Sequence, residues 1–491
     1  MTKMTRNRRF ILNILADALM IFGVSMLPSL LAAVIFREDR PALAAGVAAL
    51  CCFAAGLAGR QISGGLEVQV RPRVWYMTTF FTWILLITLT VPVFYFSIPG
   101  YSVTDAVLES AAGWTTTGVG IYDTASLPRS LQLLRSTCNW LGGVGIIMTV
   151  LSLVPTRQYL GYGLVSTEFP GPSFLKSGND FRKGYRKVVI IYILLTLLQF
   201  IMLIIAGMDG FTAVLTTLSN ISTSGLRHMG NGVVTGLSAP LKAVITLFAF
   251  LGSVNCMLFL LIMNKKAGEI RYNSEIKVYF CRLLAAGAVI TAFNVAGTGG
   301  RDLLRTFGRV MMQTVSVLST SGYVITDVSH WPKACVLLLL LMSFTGACAV
   351  STGGGIKTAR MIIAFKTVSF GIYRHIHPSS VRSLTFDKKP MKSDQVMRAN
   401  VFIVLFVLFW LGGALLLSLD DMSLQQALTY SQAMLTNTGN TMADMGAPTL
   451  VSDFTPLTKA VMCLLMIAGR LEIYPFVMIF LKNFWKSDSA I

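Results

Sequence analysis

Four short polar segments in this chain each place hydroxyl or amide side chains directly before a glycine. Numbered 1 to 4 in chain order, they are Thr115-Thr116-Thr117-Gly118, Ser222-Thr223-Ser224-Gly225, Ser319-Thr320-Ser321-Gly322 and Thr436-Asn437-Thr438-Gly439. Their glycines are 107, 97 and 117 residues apart. A cation that leaves water needs replacement oxygens, and backbone carbonyls helped by Ser and Thr hydroxyls offer many weak ligands. Glycine lets the backbone turn those carbonyls to one side. The four copies predict a ring around a cation pathway.

The predicted ion-binding residues are the last three of each segment. They are Thr116, Thr117, Gly118, Thr223, Ser224, Gly225, Thr320, Ser321, Gly322, Asn437, Thr438 and Gly439. Segment 4 is the least regular copy, because Asn437 stands where the others have a hydroxyl and Asn440 follows the glycine. Arg227 lies close behind segment 2. We expect ion selectivity to depend most on the four glycines.

An apolar run that is too short to cross a membrane precedes each segment. These runs predict half-length helices over residues 105–114, 211–220, 302–318 and 422–435. Each would point its partly negative C-terminal end at the ion. An aspartate near each start, at Asp105, Asp209, Asp302 and Asp421, is typical of a helix N-cap. Longer apolar spans flank each half-helix, and those that follow segments 2 and 4 are predicted at residues 240–263 and 456–484. The repeating order is therefore span, half-helix, segment, span.

The composition is that of a membrane protein. Of 491 residues, 54% are hydrophobic and only 13% are charged, and mean hydropathy is +0.67, whereas soluble proteins carry about 25% charged residues. We predict an all-α polytopic membrane protein with four pseudo-symmetric repeats around a central pore and an N-terminal two-helix hairpin. The predicted units are the hairpin at 1–74 and the pore repeats at 75–186, 187–273, 274–394 and 395–491.

The net charge of +19 would also suit a nucleic-acid binder. The basic residues instead cluster between the spans, as expected for cytoplasmic loops, and we expect no nucleic-acid partner. The basic stretches are residues 3–9, 60–73, 176–187, 265–282 and 357–398. This arrangement predicts a multi-pass protein of the plasma membrane with both termini in the cytoplasm. The eight cysteines form no Cys-x-x-Cys pair, and we interpret them as small buried apolar residues.

Three aspartates lie five residues past a segment glycine, at Asp123, Asp327 and Asp444. A ring of carboxylates outside the pore would concentrate cations, so these residues predict an outer vestibule. The alternative is that they are ordinary surface aspartates.

Two features predict a gate below the ring. Ser351, Thr352, Gly353, Gly354 and Gly355 interrupt the last span of the third repeat, at a depth where irregular backbone must line water or be buried in protein. The interruption is either a packing kink or a flexible barrier. A nucleotide-binding loop is a weak alternative, because this segment lacks the strand and the residue spacing of such a loop. Arg470 lies within the last span, where an arginine usually faces a partner or a cavity. We expect it to face the pathway as an electrostatic barrier, with Glu472 no obvious partner.

These motifs together resemble the bacterial Trk/Ktr/HKT potassium transporter superfamily, most closely its Trk-type membrane subunits. The resemblance rests on the four segments, residues 139–147 (NWLGGVGII), residues 351–357 and residues 469–472, and it covers nearly the whole chain. It implies potassium uptake in a bacterial inner membrane, with glycine in all four segments favouring potassium. It also implies a gate loop faced by Arg470, a homodimer, and a cytosolic nucleotide-binding (TrkA/RCK-type) regulatory ring. Potassium would be the only bound ion, no cofactor would be covalently attached, and nucleotide would act only through the partner.

Two other classes compete with this interpretation. A cation- or proton-coupled solute symporter would use a midplane site in broken helices, but it predicts inverted repeats rather than four copies in one direction. A membrane enzyme would need clustered His, Asp or Glu within its spans, and these spans offer almost none, so no enzymatic activity is expected. The sequence does not decide between passive flow and coupling to protons or sodium.

Overall fold

The fold is helical, as predicted, in a computed structural model that describes residues 6–63, 72–121, 126–145, 181–225, 234, 236–298, 303–326, 328, 331–378, 384–387, 389–439 and 451–485. The α-helices are α1 Arg6–Ser25, α2 Leu27–Ile35, α3 Asp39–Ser63, α4 Pro72–Ser97, α5 Val103–Trp114, α6 Arg129–Val144, α7 Phe181–Ile205, α8 Gly210–Ile221, α9 Ala239–Ser253, α10 Cys256–Met263, α11 Ser274–Thr298, α12 Leu303–Leu318, α13 Lys333–Thr345, α14 Thr358–Ile376, α15 Ser393–Leu417, α16 Leu424–Leu435, α17 Pro456–Arg470, α18 Tyr474–Phe480 and α19 Lys482–Trp485. Short 3-10 helices cover Ala267–Tyr272, Ser418–Asp420 and Val451–Asp453. The strands β1 Thr385–Phe386 and β2 Lys389–Pro390 form an antiparallel hairpin.

Six helical stretches among the described residues are long and apolar enough to cross a membrane. They are Asn7–Ile35, Asp39–Ser63, Arg73–Ser97, Arg186–Ile205, Ser274–Ala296 and Ser393–Asp420. Two further pairs of helices pass the same test only when each pair is taken together, and both are sharply bent. The bend is 90° between α9 and α10 and 116° between α17 and α18. The prediction of a polytopic membrane protein is therefore confirmed.

The two bent pairs correct the predicted continuous spans 240–263 and 456–484. At the first bend, the Asn255 side chain accepts a hydrogen bond from the backbone N–H of Met257 (2.9 Å) and so starts a new helix. At the second, Glu472 and Ile473 both have positive φ angles, of 57° and 61°, which no helix tolerates. Both spans are predominantly apolar on either side of the bend, so hydrophobic periodicity alone does not show where the helix breaks.

The N-terminal hairpin packs against the first repeat. Helix α1 lies on α3 and α4, while Glu38, in the turn before α3, receives hydrogen bonds from the N–H groups of Arg129 (2.7 Å) and Ser130 (3.1 Å). These are two of the free N–H groups at the start of α6. The hairpin thus caps a helix of the first repeat, although the unit boundaries themselves remain a prediction.

Helices α5, α8, α12 and α16, which we call half-helices 1 to 4, precede the four segments. Asp209 caps half-helix 2 by accepting from Thr212 N–H (2.9 Å), and this bond lowers the pKa of its carboxyl below the ordinary value. Asp105 is instead the third residue of a capping box begun by Ser102. The predicted cap Asp421 was wrong, because Ser423 accepts from Gln426 N–H and caps half-helix 4. Asp302 lies outside the described residues.

Candidate functional site

The four segments follow the same backbone path. Each half-helix ends four residues before the segment glycine, and the second residue of each segment has a left-handed conformation. Its φ is 58° at Thr116, 55° at Thr223, 59° at Thr320 and 54° at Asn437. The four glycines also have positive φ, between 67° and 82°. Threonine rarely adopts φ near +55°, whereas asparagine does so more readily, so Asn437 suits the shared backbone better than the residue it replaces.

The hydroxyls of the segments hold this backbone in place. In every segment the first and third side chains hydrogen-bond to each other. The pairs are Thr115 with Thr117 (2.8 Å), Ser222 with Ser224 (3.4 Å), Ser319 with Ser321 (2.9 Å) and Thr436 with Thr438 (2.7 Å). The first hydroxyl of segments 1, 2 and 4 also donates to the carbonyl four residues earlier, at the end of the half-helix. The third hydroxyl of each pair is a predicted ion ligand and the first is not, and in the structure the two together fix the shape of the segment.

The segments contact one another in the order 4, 1, 2, 3, as the predicted ring requires. A Cβ atom placed on Gly118 would collide with the carbonyl oxygen of Ser224 in segment 2, and one on Gly439 would collide with that of Thr117 in segment 1. A Cβ atom on Gly225 would lie 2.9 Å from the carbonyl oxygen of Ser321 in segment 3. These contacts join segment 1 to 2, 2 to 3, and 4 back to 1. The structure therefore brings the four predicted segments together, and the missing Cβ is what permits their approach.

Glycines of the following helices support three of the half-helices. Gly142 on α6 packs on the carbonyl of Trp114, and Gly469 on α17 packs on that of Leu435. In the second repeat, a Cβ atom on Gly252 of α9 would lie 2.7 Å from the carbonyl of Ile221. Each supported carbonyl belongs to the last residue of a half-helix. Gly142 and Gly469 lie in motifs that carry the resemblance, but their supporting role is not predicted, because the three glycines lie at unequal distances from their segments.

A buried ion pair lies behind segment 1. The carboxylate of Glu109 on half-helix 1 is 3.4 Å from the Arg135 guanidinium on α6, and both side chains are almost fully buried. Glu109 also accepts a hydrogen bond from Ile121 N–H (2.9 Å), three residues past the glycine, while Arg135 donates to the Val119 carbonyl. In the third repeat, Gln313 makes the equivalent bond to Ile325 N–H (3.0 Å). These side chains fix the chain that leaves the segment.

A second buried pair joins the first and fourth repeats. Lys459 on α17 donates to a carboxylate oxygen of Asp105 (2.8 Å), with both side chains less than a tenth exposed. The predicted cap Asp105 therefore also links half-helix 1 to the last bent pair of helices.

The glycine-rich loop, residues 346–357, separates α13 from α14 and contains the five predicted gate residues. Its first half lies along the break between α9 and α10. Cys348 N–H donates to Ser253 (3.0 Å), Thr352 N–H donates to Gly252 (3.3 Å), and Val350 accepts from Cys256 N–H (3.0 Å). The bend in the second repeat is thus where the loop of the third repeat is bound.

Glu275 fixes the same part of the loop. This residue at the start of α11 is 2% exposed, and its carboxylate accepts from Ala349 N–H (2.6 Å) and from the Asn255 side-chain amide (3.0 Å). It therefore connects the loop to the bend between α9 and α10. No sequence pattern indicates this role, because an acidic residue in the first turn of a helix is common.

The second half of the loop lies against the bases of three segments. Gly354 N–H donates to the Thr320 hydroxyl of segment 3 (2.8 Å), and a Cβ atom on Gly354 would collide with the Thr436 carbonyl of segment 4. The Thr352 hydroxyl donates to the carbonyl of Ile221 (3.2 Å), directly before segment 2. The loop is therefore in direct contact with the ring rather than only beneath it.

Arg470 connects this loop to the first repeat. Its guanidinium donates to the Thr352 carbonyl (2.9 Å) and to the carbonyls of Gly142 and Gly143 at the end of α6, the latter at 3.0 Å. It also lines a small cavity between the ring and the loop, to which Asn437 and Glu472 contribute. Arg470 thus faces the loop, as the resemblance implies, and it ends α17 at the bend rather than lying inside a span.

Two basic residues expected in a cytoplasmic loop are buried beside this cavity, which corrects that prediction. Lys357 is 5% exposed and donates to the Gly353 carbonyl within the loop, while the Arg360 guanidinium forms a 2.5 Å ion pair with Glu472. The reason is that α14 begins directly after the loop, so its first turn packs beneath the ring. Glu472 thus forms its ion pair with Arg360 of the next helix after the loop.

The predicted vestibule residues Asp123, Asp327 and Asp444 lie outside the described residues, as do Arg227 and Asn440. Their role therefore stays a prediction.

The helices, the ring of four segments and the loop bound beneath it define a multi-span helical membrane protein of the transport class. A family model described as TrkH, cation transport protein, matches residues 39–488, so the chain belongs to the TrkH family of cation transport proteins. This confirms the resemblance inferred from the motifs.

Named relatives and a solved structure agree with that assignment. The chain is 29% identical to the Trk system potassium uptake protein TrkG of Escherichia coli K12 over 475 residues, covering 95% of this chain and 96% of the relative. It is 28% identical to the Trk system potassium uptake protein TrkH of Halomonas elongata over 492 residues, covering 97% and 99%. The crystal structure of the potassium transporter TrkH from Vibrio parahaemolyticus has the same fold, with a TM-score of 0.85, 22% identity, and 97% and 99% coverage.

Proposed function

We propose that this protein takes up potassium across a bacterial plasma membrane through a channel-like pore whose selectivity filter is the ring of four segments. The observation that supports it most is the seam geometry, in which Gly118, Gly225 and Gly439 each pack against a carbonyl of the neighbouring segment. At these three seams the neighbouring carbonyl leaves no room for a side chain, and we infer that the backbone carbonyls of the four segments face a common centre. The relatives that bear the words "potassium uptake" in their names support the choice of ion.

The filter works by replacing the water of the ion. Backbone carbonyls supply weak oxygen ligands that bind potassium without trapping it. The four half-helices, ending four residues before the glycines, direct their partly negative ends toward the ion. The internal hydroxyl pairs keep each segment's backbone from collapsing when the site is empty.

The glycine-rich loop is the gate, and the conformation described above is the closed one. In it, the loop is held by the α9–α10 break, by Thr320 and by Arg470. The positive charges of Arg470, which is partly buried, and of Lys357, which is buried, lie beside the cavity and oppose the entry of a cation. Opening requires these bonds to be exchanged for water, which ties flow to movement of the loop.

The proposal also includes protein partners. The word "system" in the names of the relatives suggests accessory proteins, and we infer a cytosolic nucleotide-binding ring that moves the loop, while the pore subunit itself binds no nucleotide.

We also infer a homodimer with both termini in the cytoplasm. Helix α14 leaves Phe365, Val368, Ile372 and Ile376 exposed at helical spacing, an apolar face suited to a second copy. Light scattering of the purified protein, with Ile372→Glu as the variant, tests the dimer.

Ion flux in liposomes tests the function. The purified protein is reconstituted and uptake of potassium, rubidium and sodium is compared, with and without an imposed proton gradient. We expect potassium and rubidium to exceed sodium clearly. Equal sodium and potassium flux would defeat the selectivity claim, and complete dependence on the proton gradient would favour a symporter.

The outer vestibule has its own test. Changing Asp123, Asp327 and Asp444 together to asparagine should lower uptake mainly at low ionic strength, because salt screens the attraction between exposed carboxylates and cations. Uptake equal to wild type at low ionic strength would mean that these are ordinary surface aspartates.

A further inference from the structure

The seam between segments 4 and 1 contains a side-chain bond across the ring. Asn437 is 2% exposed, and its amide nitrogen donates to the Thr117 hydroxyl in segment 1 (2.9 Å) and to the Met466 carbonyl on α17 (3.0 Å). Its partners therefore belong to a different repeat and to a different helix. One amide group joins three elements at the centre of the molecule.

The orientation of this amide is fixed by its neighbours. A backbone carbonyl can only accept, so the nitrogen and not the oxygen of Asn437 must face Met466. Gly469, one turn after Met466, leaves the space that the amide needs, because a Cβ atom there would lie 2.9 Å from Asn437 Oδ1. The helix and the side chain therefore fit each other.

The equivalent threonines in the other segments have different contacts. Thr223 donates to the carbonyl of Ser222 in its own segment (2.8 Å), and Thr320 accepts from the glycine-rich loop. A threonine hydroxyl sits directly on Cβ, whereas the asparagine amide nitrogen lies one bond further out. Only the longer side chain reaches across a seam, and its φ of 54° shows that it does so on the backbone that the threonines share.

We propose that Asn437 is a specificity-determining residue of the filter and acts as a brace rather than as an ion ligand. It holds segment 4 against segment 1, so that the ring keeps the width that suits potassium and cannot close around the smaller sodium ion. This inference rests on the proposed potassium filter. It differs from the sequence-based prediction, which places Asn437 among the ion-binding residues of the least regular segment.

The test is therefore Asn437→Thr, measured as the ratio of potassium to sodium flux in liposomes. Threonine is accepted at the same φ in three segments, so the variant removes the brace without a new backbone conformation. We expect potassium flux to continue and the ratio to fall by about three- to tenfold, the effect of losing one or two buried hydrogen bonds. The matched control is Asn400→Thr, which removes another asparagine-to-threonine bond, to Thr367, away from the ring.

A second variant removes the same bond from the other side. Thr117→Val should also lower the ratio, and the double variant should fall less than the sum of the two changes, because both remove one interaction. A wild-type-like ratio in Asn437→Thr would overturn the brace. If that variant does not fold, an unchanged ratio in Thr117→Val would overturn it equally. Wild-type protein without potassium preference would instead refute the proposed function, whatever Asn437 does.

Discussion

Arg470 offers the most direct test of the gate, because it is the side chain that ties the glycine-rich loop to the first repeat. In Arg470→Ala the loop loses the hydrogen bond at its Thr352 carbonyl, while the bonds to Gly142 and Gly143 involve a fixed helix end. A hydrogen bond from a charged donor contributes about 1.5–3 kcal/mol. If this hydrogen bond forms only in the closed conformation, losing it raises the ratio of open to closed molecules by roughly 10- to 150-fold. Basal potassium leak should rise by a similar factor.

The assay is potassium efflux from liposomes that contain the pore protein alone, with no regulatory partner. Arg470→Lys separates two roles of the arginine. Lysine keeps the positive charge but lacks the planar fork that donates to the loop and to α6 at the same time. We expect its leak to lie between those of wild type and Arg470→Ala.

Two results would refute this reasoning. An unchanged leak in Arg470→Ala would mean that the arginine neither holds the loop nor blocks the path. A wild-type leak in Arg470→Lys would show that charge alone matters and that the bridge does not. Because the guanidinium also lies 5.7 Å from the Trp83 ring, thermal unfolding of each variant is needed to exclude loss of packing.

Three further predictions concern the ring and its supports. Gly225→Ala should abolish selective uptake, since its φ is 82° and its Cβ would lie 2.9 Å from the Ser321 carbonyl, while Gly371→Ala in open space on α14 should transport normally. Glu275→Gln should raise potassium leak by about tenfold, because the NH2 group of glutamine would face the NH2 group of Asn255, whose oxygen is already bound to Met257 N–H. Glu269→Gln is the exposed control. An equal leak in both variants would contradict the role of Glu275 in holding the loop. Glu109→Gln should lower the free energy of unfolding by about 3–5 kcal/mol, because the buried Arg135 loses its carboxylate partner. In a thermal unfolding assay, the double variant Glu109→Gln, Arg135→Met should recover much of that loss. No recovery would mean that the loss of stability does not come from this ion pair.

The parts that sequence predicts are those encoded within one repeat. The four segments, their half-helices and the glycine-rich interruption each depend on residues within about twenty positions, where helical spacing and glycine have direct meaning. Arg470 was found because a charge within an apolar span is itself a signal. The ring was inferred only because the same short pattern occurs four times.

The parts that sequence does not predict join residues from different repeats. The Asn437–Thr117 bond spans 320 positions and the Lys459–Asp105 pair spans 354, so no local pattern pairs them. Asp421 failed as a cap because Ser423 offers the same chemistry two residues later, a choice set by where the 3-10 helix at Ser418–Asp420 ends. Lys357 was misplaced because a basic residue at a helix start looks the same whether it faces the cytoplasm or a buried loop.

In the third repeat, the glycine-rich loop that we propose as the gate directly supports a segment of the proposed filter. In the other three repeats, a helix glycine packs on the last carbonyl of the half-helix. In the third, the glycine that approaches the start of the segment is Gly353 of the loop, whose Cβ would lie 2.8 Å from the Ser319 carbonyl. The neighbouring Gly354 N–H is bound to Thr320 (2.8 Å). A loop that moves away removes this support from segment 3, and it also gives up its contacts with the Ile221 carbonyl before segment 2 and with the Thr436 carbonyl of segment 4. The Asn437–Thr117 bond between segments 4 and 1 does not involve the loop. We therefore expect opening to loosen segment 3 most and the seam between segments 4 and 1 least.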